Sequence, residues 1–125
     1  MTKLLGIDVG STTVKVTVIE PATDEILYKS YERHFSRVKE CVLEELKKVN
    51  SLFPAESFKA AVTGSAGLGL AEKSRISFVQ EVQAAFIAIR HYYPDADAAV
   101  ELGGEDAKII FLTGGTEQRM NGSCA

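Results

Sequence analysis

The residues best suited to chemistry lie in one short run, residues 6–15. Asp8 precedes Gly10, and three hydroxyl residues stand between Gly10 and Lys15, namely Ser11, Thr12 and Thr13. The peptide N–H groups of a tight turn can form an anion-binding concavity, and hydroxyl groups add rotatable donors. Asp8 alone would repel a phosphate, but a magnesium ion between the two makes the carboxylate useful. The run therefore favours a phosphate bound with a divalent cation; the alternative is an ordinary polar hairpin turn.

Two strands must position this turn. Residues 3–9 are mostly apolar, and Val14, Val16 and Val18 alternate with other residues, which predicts a strand on each side. Gly10 lacks a Cβ, so it lets the turn take positive φ and lets a ligand approach the backbone. The sequence has neither a Gly-x-x-x-x-Gly-Lys-Ser/Thr loop nor a Gly-x-Gly-x-x-Gly turn that leads into a helix. We therefore expect a hairpin turn rather than a strand-to-helix turn.

The same pattern occurs a second time. The spacing acid-x-Gly-x4-Lys runs from Asp8 to Lys15 and again from Glu101 to Lys108, each time with an apolar strand pattern on both sides. Internal similarity of this kind points to a repeated structural unit. Two such turns facing each other across a cleft would hold a polyphosphate and its metal from both sides.

The rest of the chain predicts the elements that carry these turns. We predict a third antiparallel strand over residues 25–33 and a helix with its N-cap at Ser36. We also predict a buried strand over residues 58–63 and a second helix over residues 79–92. Residues 97–102 and 107–112 predict two more strands. This order predicts an α/β fold, with a mixed sheet that starts with three antiparallel strands and has flanking helices. Cys41 is expected in the core, and His34 and His91 on the surface.

Composition narrows the class of protein. The chain has 125 residues, of which 46% are hydrophobic and 25% charged, with a net charge of −3, as in soluble globular domains. No apolar run reaches the ~20 residues that span a bilayer, so no membrane association is expected. The mild acidity argues against nucleic acid as the main partner. Cys41 and Cys124 do not suggest a disulfide framework, which predicts a reducing, cytoplasmic location.

Three motifs, at residues 6–15, 101–108 and 120–125, resemble the phosphate loops and cysteine motif of a known ATPase family. This family comprises the activators of 2-hydroxyacyl-CoA dehydratases and the ATPase subunits of benzoyl-CoA reductases. It belongs to the sugar kinase, heat-shock chaperone and actin superfamily. The resemblance implies a ribonuclease H-like (actin-like ATPase) fold, with an N-terminal subdomain over residues 1–97 and the start of a second subdomain over residues 98–125. It also implies that the chain is the N-terminal part of a longer protein.

The resemblance implies roles for individual residues. ATP or ADP would bind with Mg²⁺, Asp8 would be the carboxylate on the metal side, and Glu101 or Glu105 would orient the attacking water. Cys124 would be a ligand of a [4Fe–4S] cluster held between the subunits of a homodimer. The phosphate contacts would be Gly10, Ser11, Thr12, Thr13, Lys15, Gly103, Gly104 and Lys108. A less specific match covers Thr63-Gly64-Ser65, which corresponds to a Thr-Gly loop of the family, and the acid Glu81.

The function implied is that of an ATP-dependent activator that passes an electron to a CoA-ester dehydratase or reductase. The second loop departs from the family's usual Asp-Ile-Gly-Gly-Gln-Asp by reading Glu-Leu-Gly-Gly-Glu-Asp over residues 101–106. Because of this departure and the expected missing half, we predict weak or absent ATPase activity for this chain. Two alternatives stay open: a small-molecule kinase of the amino-sugar type, and a non-enzymatic actin-like nucleotide module.

Overall fold

The computed structural model describes residues 2–102 and 107–112. The chain forms two compact units, Met1–Val79 and a second unit that begins at Gln80. The subdomain boundary expected between residues 97 and 98 stays a prediction. In the described part of the chain, no helix combines the length and the apolar character needed to cross a membrane.

The first unit is built on a five-stranded mixed sheet. Its strands lie in the order β3-β2-β1-β4-β5, with β1 antiparallel to β2, β2 antiparallel to β3, and the pairs β1/β4 and β4/β5 parallel. This confirms the predicted mixed sheet with an antiparallel three-stranded start. The strands are β1 (Thr2–Val9), β2 (Thr13–Glu20), β3 (Glu25–Arg33), β4 (Ser57–Thr63) and β5 (Ser77–Phe78), and the helices are α1 (Val38–Leu52) and α2 (Leu68–Ser74).

One face of this sheet forms the core. Alternate residues of β1 and β2 are buried, because successive side chains of a strand point to opposite faces. The buried face of the sheet packs against the apolar side of α1, where Val42 and Val49 are buried. The core positions contributed by the strands are Leu5, Ile7, Val9, Val14, Val16, Val18 and Val62. The opposite face of the sheet therefore carries the remaining residues, Asp8 and Lys15 among them.

Helix α1 begins at Val38, so its N-cap lies one residue after the predicted position, Ser36. Arg37, not Ser36, is the N-cap residue, and no side chain caps the helix. Ser36 has φ 64°, so it lies in the left-handed region, whereas an N-cap residue is typically extended. The prediction that Ser36 caps this helix is wrong, because the residue serves the turn that precedes the helix.

The second unit contains a helix and a two-stranded antiparallel sheet. Its described elements are α3 (Glu81–Tyr92), β6 (Ala98–Leu102) and β7 (Ala107–Phe111). Among its described residues, the buried apolar ones are Val82, Ile110 and Leu112. The guanidinium of Arg90 donates a hydrogen bond to the carbonyl of Leu112 at 2.9 Å, which ties α3 to the end of the hairpin. The two strands predicted on either side of residues 103–106 are therefore present.

Candidate functional site

Three polar residues line up across the first sheet at the end nearest the β1–β2 turn. Asp8 on β1 is paired with Lys15 on β2 and with Thr63 on β4, so the three side chains share one face. The Lys15 ammonium lies 3.4 Å from a carboxylate oxygen of Asp8, and both side chains are about one-third exposed, at 34% and 39%. Partly exposed pairs of this kind are worth about 1 kcal/mol or less. Lys15 can therefore exchange Asp8 for a stronger anionic partner at little cost.

The turn between the strands has unused hydrogen-bond donors. Its backbone closes through a bond from the Gly10 N–H to the Thr13 carbonyl, 2.9 Å long. Within the described chain, the N–H groups of Ser11 and Thr12 donate to no protein group, and both residues are exposed. Two adjacent unpaired N–H groups in a turn are the donors that a phosphate oxygen takes. The site therefore combines a carboxylate, an ammonium and a turn with two available N–H donors.

His34, expected on the surface, is buried behind this turn. Only 6% of it is exposed, and its ring Nε2 lies 3.0 Å from the carbonyl oxygen of Gly10. Its own N–H donates to the carbonyl of Thr12 at 3.0 Å. The surface prediction is wrong, because the strand β3 continues alongside β2 and carries residue 34 to the turn. Sequence spacing gives no signal for the contact with the turn, since the Gly10 carbonyl lies 24 residues away and is a backbone group.

The loop after β4 packs closely against the end of β1. Gly64 has φ +104°, and a Cβ on it would lie 2.2 Å from the carbonyl oxygen of Val9 and 2.6 Å from Asp8 Oδ1. The N–H of Ala66 donates to that same carbonyl at 2.9 Å. Only glycine allows this approach. The Thr63-Gly64 loop therefore forms one wall beside the Asp8 carboxylate.

The residues at this end of the sheet could hold a magnesium ion. Thr63 Oγ1 is buried and has no hydrogen-bond partner among the described residues, and it lies in the same sheet row as Asp8. The described residues contain no group of three or more His, Cys, Asp or Glu side chains placed to hold a metal. One carboxylate is enough for Mg²⁺, which keeps several waters and takes its other ligands from substrate phosphates. Asp8 is thus the residue that would hold the ion.

The second predicted turn has a different charge arrangement. Glu101 and Lys108 are paired across β6 and β7, as Asp8 and Lys15 are across the first hairpin. However, the Lys108 ammonium lies 2.6 Å from a carboxylate oxygen of Glu81 on α3, and that lysine is only 8% exposed. Lys108 is therefore held by α3. The other predicted site residues here, Gly103, Gly104, Glu105 and Cys124, lie outside the described residues, and the clamp formed by two turns stays a prediction.

Comparison with known proteins supports the fold. No protein-family model matches the chain. It is 29% identical to an uncharacterized protein of Methanocaldococcus jannaschii over 107 residues, 86% of this chain and 42% of that protein. Component A of the (R)-2-hydroxyglutaryl-CoA dehydratase of Acidaminococcus fermentans superposes with a TM-score of 0.75 and 24% identity, over 100% of this chain and 49% of the other. The activator of the 2-hydroxyisocaproyl-CoA dehydratase of Clostridium difficile, with bound ADPNP, gives 0.75 and 23%, over 98% and 47%.

These similarities have a defined reach. The chain spans a little under half the length of each of the three proteins. The identities to the two solved structures are low, so the likeness concerns the fold. The predicted resemblance to dehydratase activators is confirmed at that level. The chain has the mixed α/β fold of the actin-like ATPases, and activators of 2-hydroxyacyl-CoA dehydratases are among the proteins that share it.

Proposed function

We propose that this chain is the N-terminal, phosphate-binding part of an ATP-dependent activator of a CoA-ester dehydratase or reductase. One observation carries the proposal: the N–H groups of Ser11 and Thr12, unpaired among the described residues, lie in the turn at the same end of β1 and β2 as the Asp8–Lys15 pair. The structural neighbour with bound ADPNP supports a nucleotide as the ligand. The name of that neighbour, an activator of the 2-hydroxyisocaproyl-CoA dehydratase, supports an activator as the class of protein.

The residues of the first turn divide the work of binding. Phosphoryl transfer to water depends mostly on positioning and on stabilising the charge of the phosphate oxygens. Asp8 would hold Mg²⁺, and the N–H groups of Ser11 and Thr12 would bind phosphate oxygens. Lys15, already next to Asp8, would supply a positive charge once Mg²⁺ neutralises that carboxylate. A site with one carboxylate, one ammonium and two neutral N–H donors suits the magnesium complex of a polyphosphate better than it suits an anion without a metal.

The remaining parts of the proposal depend on the second turn and the C-terminal residues. Glu101 or Glu105 would orient the attacking water, and Gly103, Gly104 and Lys108 would contact phosphates. Cys124 would be a ligand of a [4Fe–4S] cluster in a homodimer, where the cluster supplies one-electron transfer to the partner enzyme. We propose a cytoplasmic location, as the reducing environment of such a cluster requires.

Nucleotide binding is the direct test of the first turn. Calorimetric titration of the purified chain with ADPNP should show binding that requires Mg²⁺. Asp8→Ala should weaken it by at least about tenfold, since the metal loses its protein carboxylate. Glu25→Gln is a matched control, because Glu25 is an exposed acid paired with Glu20 at the opposite end of the same sheet. Binding that is independent of Mg²⁺, or equal in Asp8→Ala and the unchanged chain, would contradict the proposal.

A second experiment separates the activator from the kinase alternative. A longer protein that carries this chain should be purified anaerobically and its iron content and visible spectrum recorded. Bound iron that is lost in Cys124→Ser would support the activator. A protein without iron that phosphorylates an amino sugar would instead establish the kinase. A protein with neither property, which binds nucleotide but turns nothing over, would be the non-enzymatic module.

A further inference from the structure

We infer that His34 is a positioning residue that sets the direction of the phosphate-binding N–H group of Ser11 by holding the carbonyl of Gly10. This rests on the proposed function of the turn as a phosphate site. The ring of His34 is buried behind the turn, and its Nε2 lies 3.0 Å from the Gly10 carbonyl oxygen. It touches the turn from the protein side, so it shapes the site without contacting the ligand.

The two ring nitrogens have fixed and different roles. The N–H of Ser36 donates to Nδ1 at 3.0 Å, so Nδ1 is an acceptor and carries no proton. In the neutral ring the proton then resides on Nε2, which donates it to the carbonyl of Gly10. Both nitrogens are thereby occupied, which leaves no lone pair for a metal or for proton abstraction. The arrangement points to positioning rather than to ligation or acid–base chemistry.

Because of the geometry of the peptide unit, the contact with the Gly10 carbonyl also orients an N–H group on the side of the turn where a ligand would bind. In a trans peptide the carbonyl oxygen and the following N–H point in opposite directions. The described chain contains no cis peptide bond. When His34 holds the carbonyl of Gly10, the N–H of Ser11, in the same peptide unit, is directed away from His34. The N–H of His34 also holds the carbonyl of Thr12 at 3.0 Å, which fixes a second peptide of the turn.

The two residues that follow His34 have strained backbone conformations. Phe35 and Ser36 have φ of 49° and 64°, left-handed conformations that are unfavourable for residues other than glycine. Consecutive strained residues persist only where the surroundings hold them, and they often mark functional sites. Here the holding bonds are those from the Ser36 N–H to His34 Nδ1 and from the Arg37 N–H to the His34 carbonyl, 2.7 Å long. Both bonds end on His34, so the strained turn and the buried ring form one unit.

Two substitutions separate the two ring contacts. His34→Gln places an amide N–H near the position of Nε2, so it keeps a donor for the Gly10 carbonyl and loses the acceptor for Ser36. His34→Asn places an oxygen near the position of Nδ1, so it keeps the acceptor for Ser36 and loses the donor for Gly10. Both are expected to unfold at lower urea concentration than the unchanged protein, because each loses one partly buried hydrogen bond. A role in folding alone would therefore leave their nucleotide affinities equal.

The affinity for ADPNP with Mg²⁺ should distinguish the two variants. We expect His34→Gln to keep its affinity within about threefold, and His34→Asn to lose about tenfold or more. The exposed His91, changed to Asn, is the control and should have no effect. Equal affinities in His34→Gln and His34→Asn would overturn the inference.

Amide hydrogen exchange without nucleotide provides a second readout. The N–H of Gly10 is protected by its bond to Thr13, and its exchange should be faster in His34→Asn but not in His34→Gln. Unchanged exchange at Gly10 in both variants would overturn the inference. If the unchanged chain failed to bind ADPNP, the proposed function would fail, yet this exchange comparison would still decide the role of His34.

Discussion

Substituting Gly64 by alanine should test how closely the loop after β4 packs on the Asp8 site. The backbone at Gly64 has φ +104°, a conformation that residues with a Cβ rarely adopt. The added carbon would lie 2.2 Å from the carbonyl oxygen of Val9, and that oxygen belongs to the backbone, so no rotation of a side chain relieves the contact. The carbon would also lie 2.6 Å from Asp8 Oδ1. The loop must therefore move, and the carboxylate with it.

The cost of Gly64→Ala has two parts. The backbone conformation costs about 1–2 kcal/mol for a residue with a Cβ. Forcing extra volume into a packed place costs typically about 1–3 kcal/mol. The free energy of unfolding should thus fall by about 2–5 kcal/mol, a large share of the stability of an ordinary domain. Gly69 is the matched control, because it lies in α2 with nothing within 4 Å of its Cβ position. Gly69→Ala should gain about 0.5–1 kcal/mol from helix propensity.

Urea unfolding followed by circular dichroism measures both values. The folded fraction of the Gly64→Ala protein should then be titrated with ADPNP. Its Mg²⁺-dependent binding should be weaker than that of the unchanged chain, because the Asp8 carboxylate is displaced. A Gly64→Ala protein within about 0.5 kcal/mol of the unchanged chain would refute the reasoning. So would a loss of stability in Gly69→Ala as large as that in Gly64→Ala.

Two further predictions concern the core and Cys41. Ile7→Ala should lower the free energy of unfolding by about 2–5 kcal/mol, because Ile7 is 1% exposed, whereas Leu4→Ala on the opposite face of β1 should cost about 1 kcal/mol or less in the same urea experiment. Burial, and after it the nearby Glu45 carboxylate, raises the pKa of the Cys41 thiol above its ordinary value of 9.0. Iodoacetamide should therefore label Cys41 only at higher pH in the folded protein than in urea, as peptide mapping by mass spectrometry would show. Because the folded state favours the neutral thiol, this group's contribution to stability is present below pH 9.0 and is lost as the pH rises. Identical pH profiles in the folded and unfolded protein would contradict this prediction.

Local patterns predict the hairpins well. The period-two alternation of the valines in β2 and the Gly/Ser/Thr turn are both contained within a few residues, so β1, β2 and β3 follow from the sequence. Helix α2 and strand β5 were not predicted, because seven and two residues are too short to show a period. Their place depends on packing against β4, which no local pattern contains.

The contacts of the candidate site also fall into those that the sequence predicts and those that it does not. Asp8 and Lys15 become partners because a hairpin centred between them pairs residues at equal distances from its turn. The contact of His34 with the turn is not predictable in this manner, because it is made with the backbone carbonyl of Gly10 and depends on the pairing of β2 with β3. The pairing of Lys108 with Glu81 spans 27 residues and depends on how α3 packs. Sequence predicts contacts made by one turn, and contacts between elements need the structure.

The repeated acid-to-lysine spacing therefore determines how the two strands of each hairpin pair, but it does not determine which carboxylate the lysine contacts. Both hairpins pair their acid with their lysine in the same register. In the first, the lysine stays near its acid at 3.4 Å and is partly exposed, so a phosphate can recruit it at little cost. In the second, the lysine is nearly buried and lies 2.6 Å from the carboxylate of Glu81, so a phosphate would have to compete with a shorter and drier ion pair. Lys15 is for this reason the better candidate for a phosphate ligand of the two lysines. The chemical role of Lys108 is tied to Glu81, although the sequence motif alone would make the two lysines equivalent.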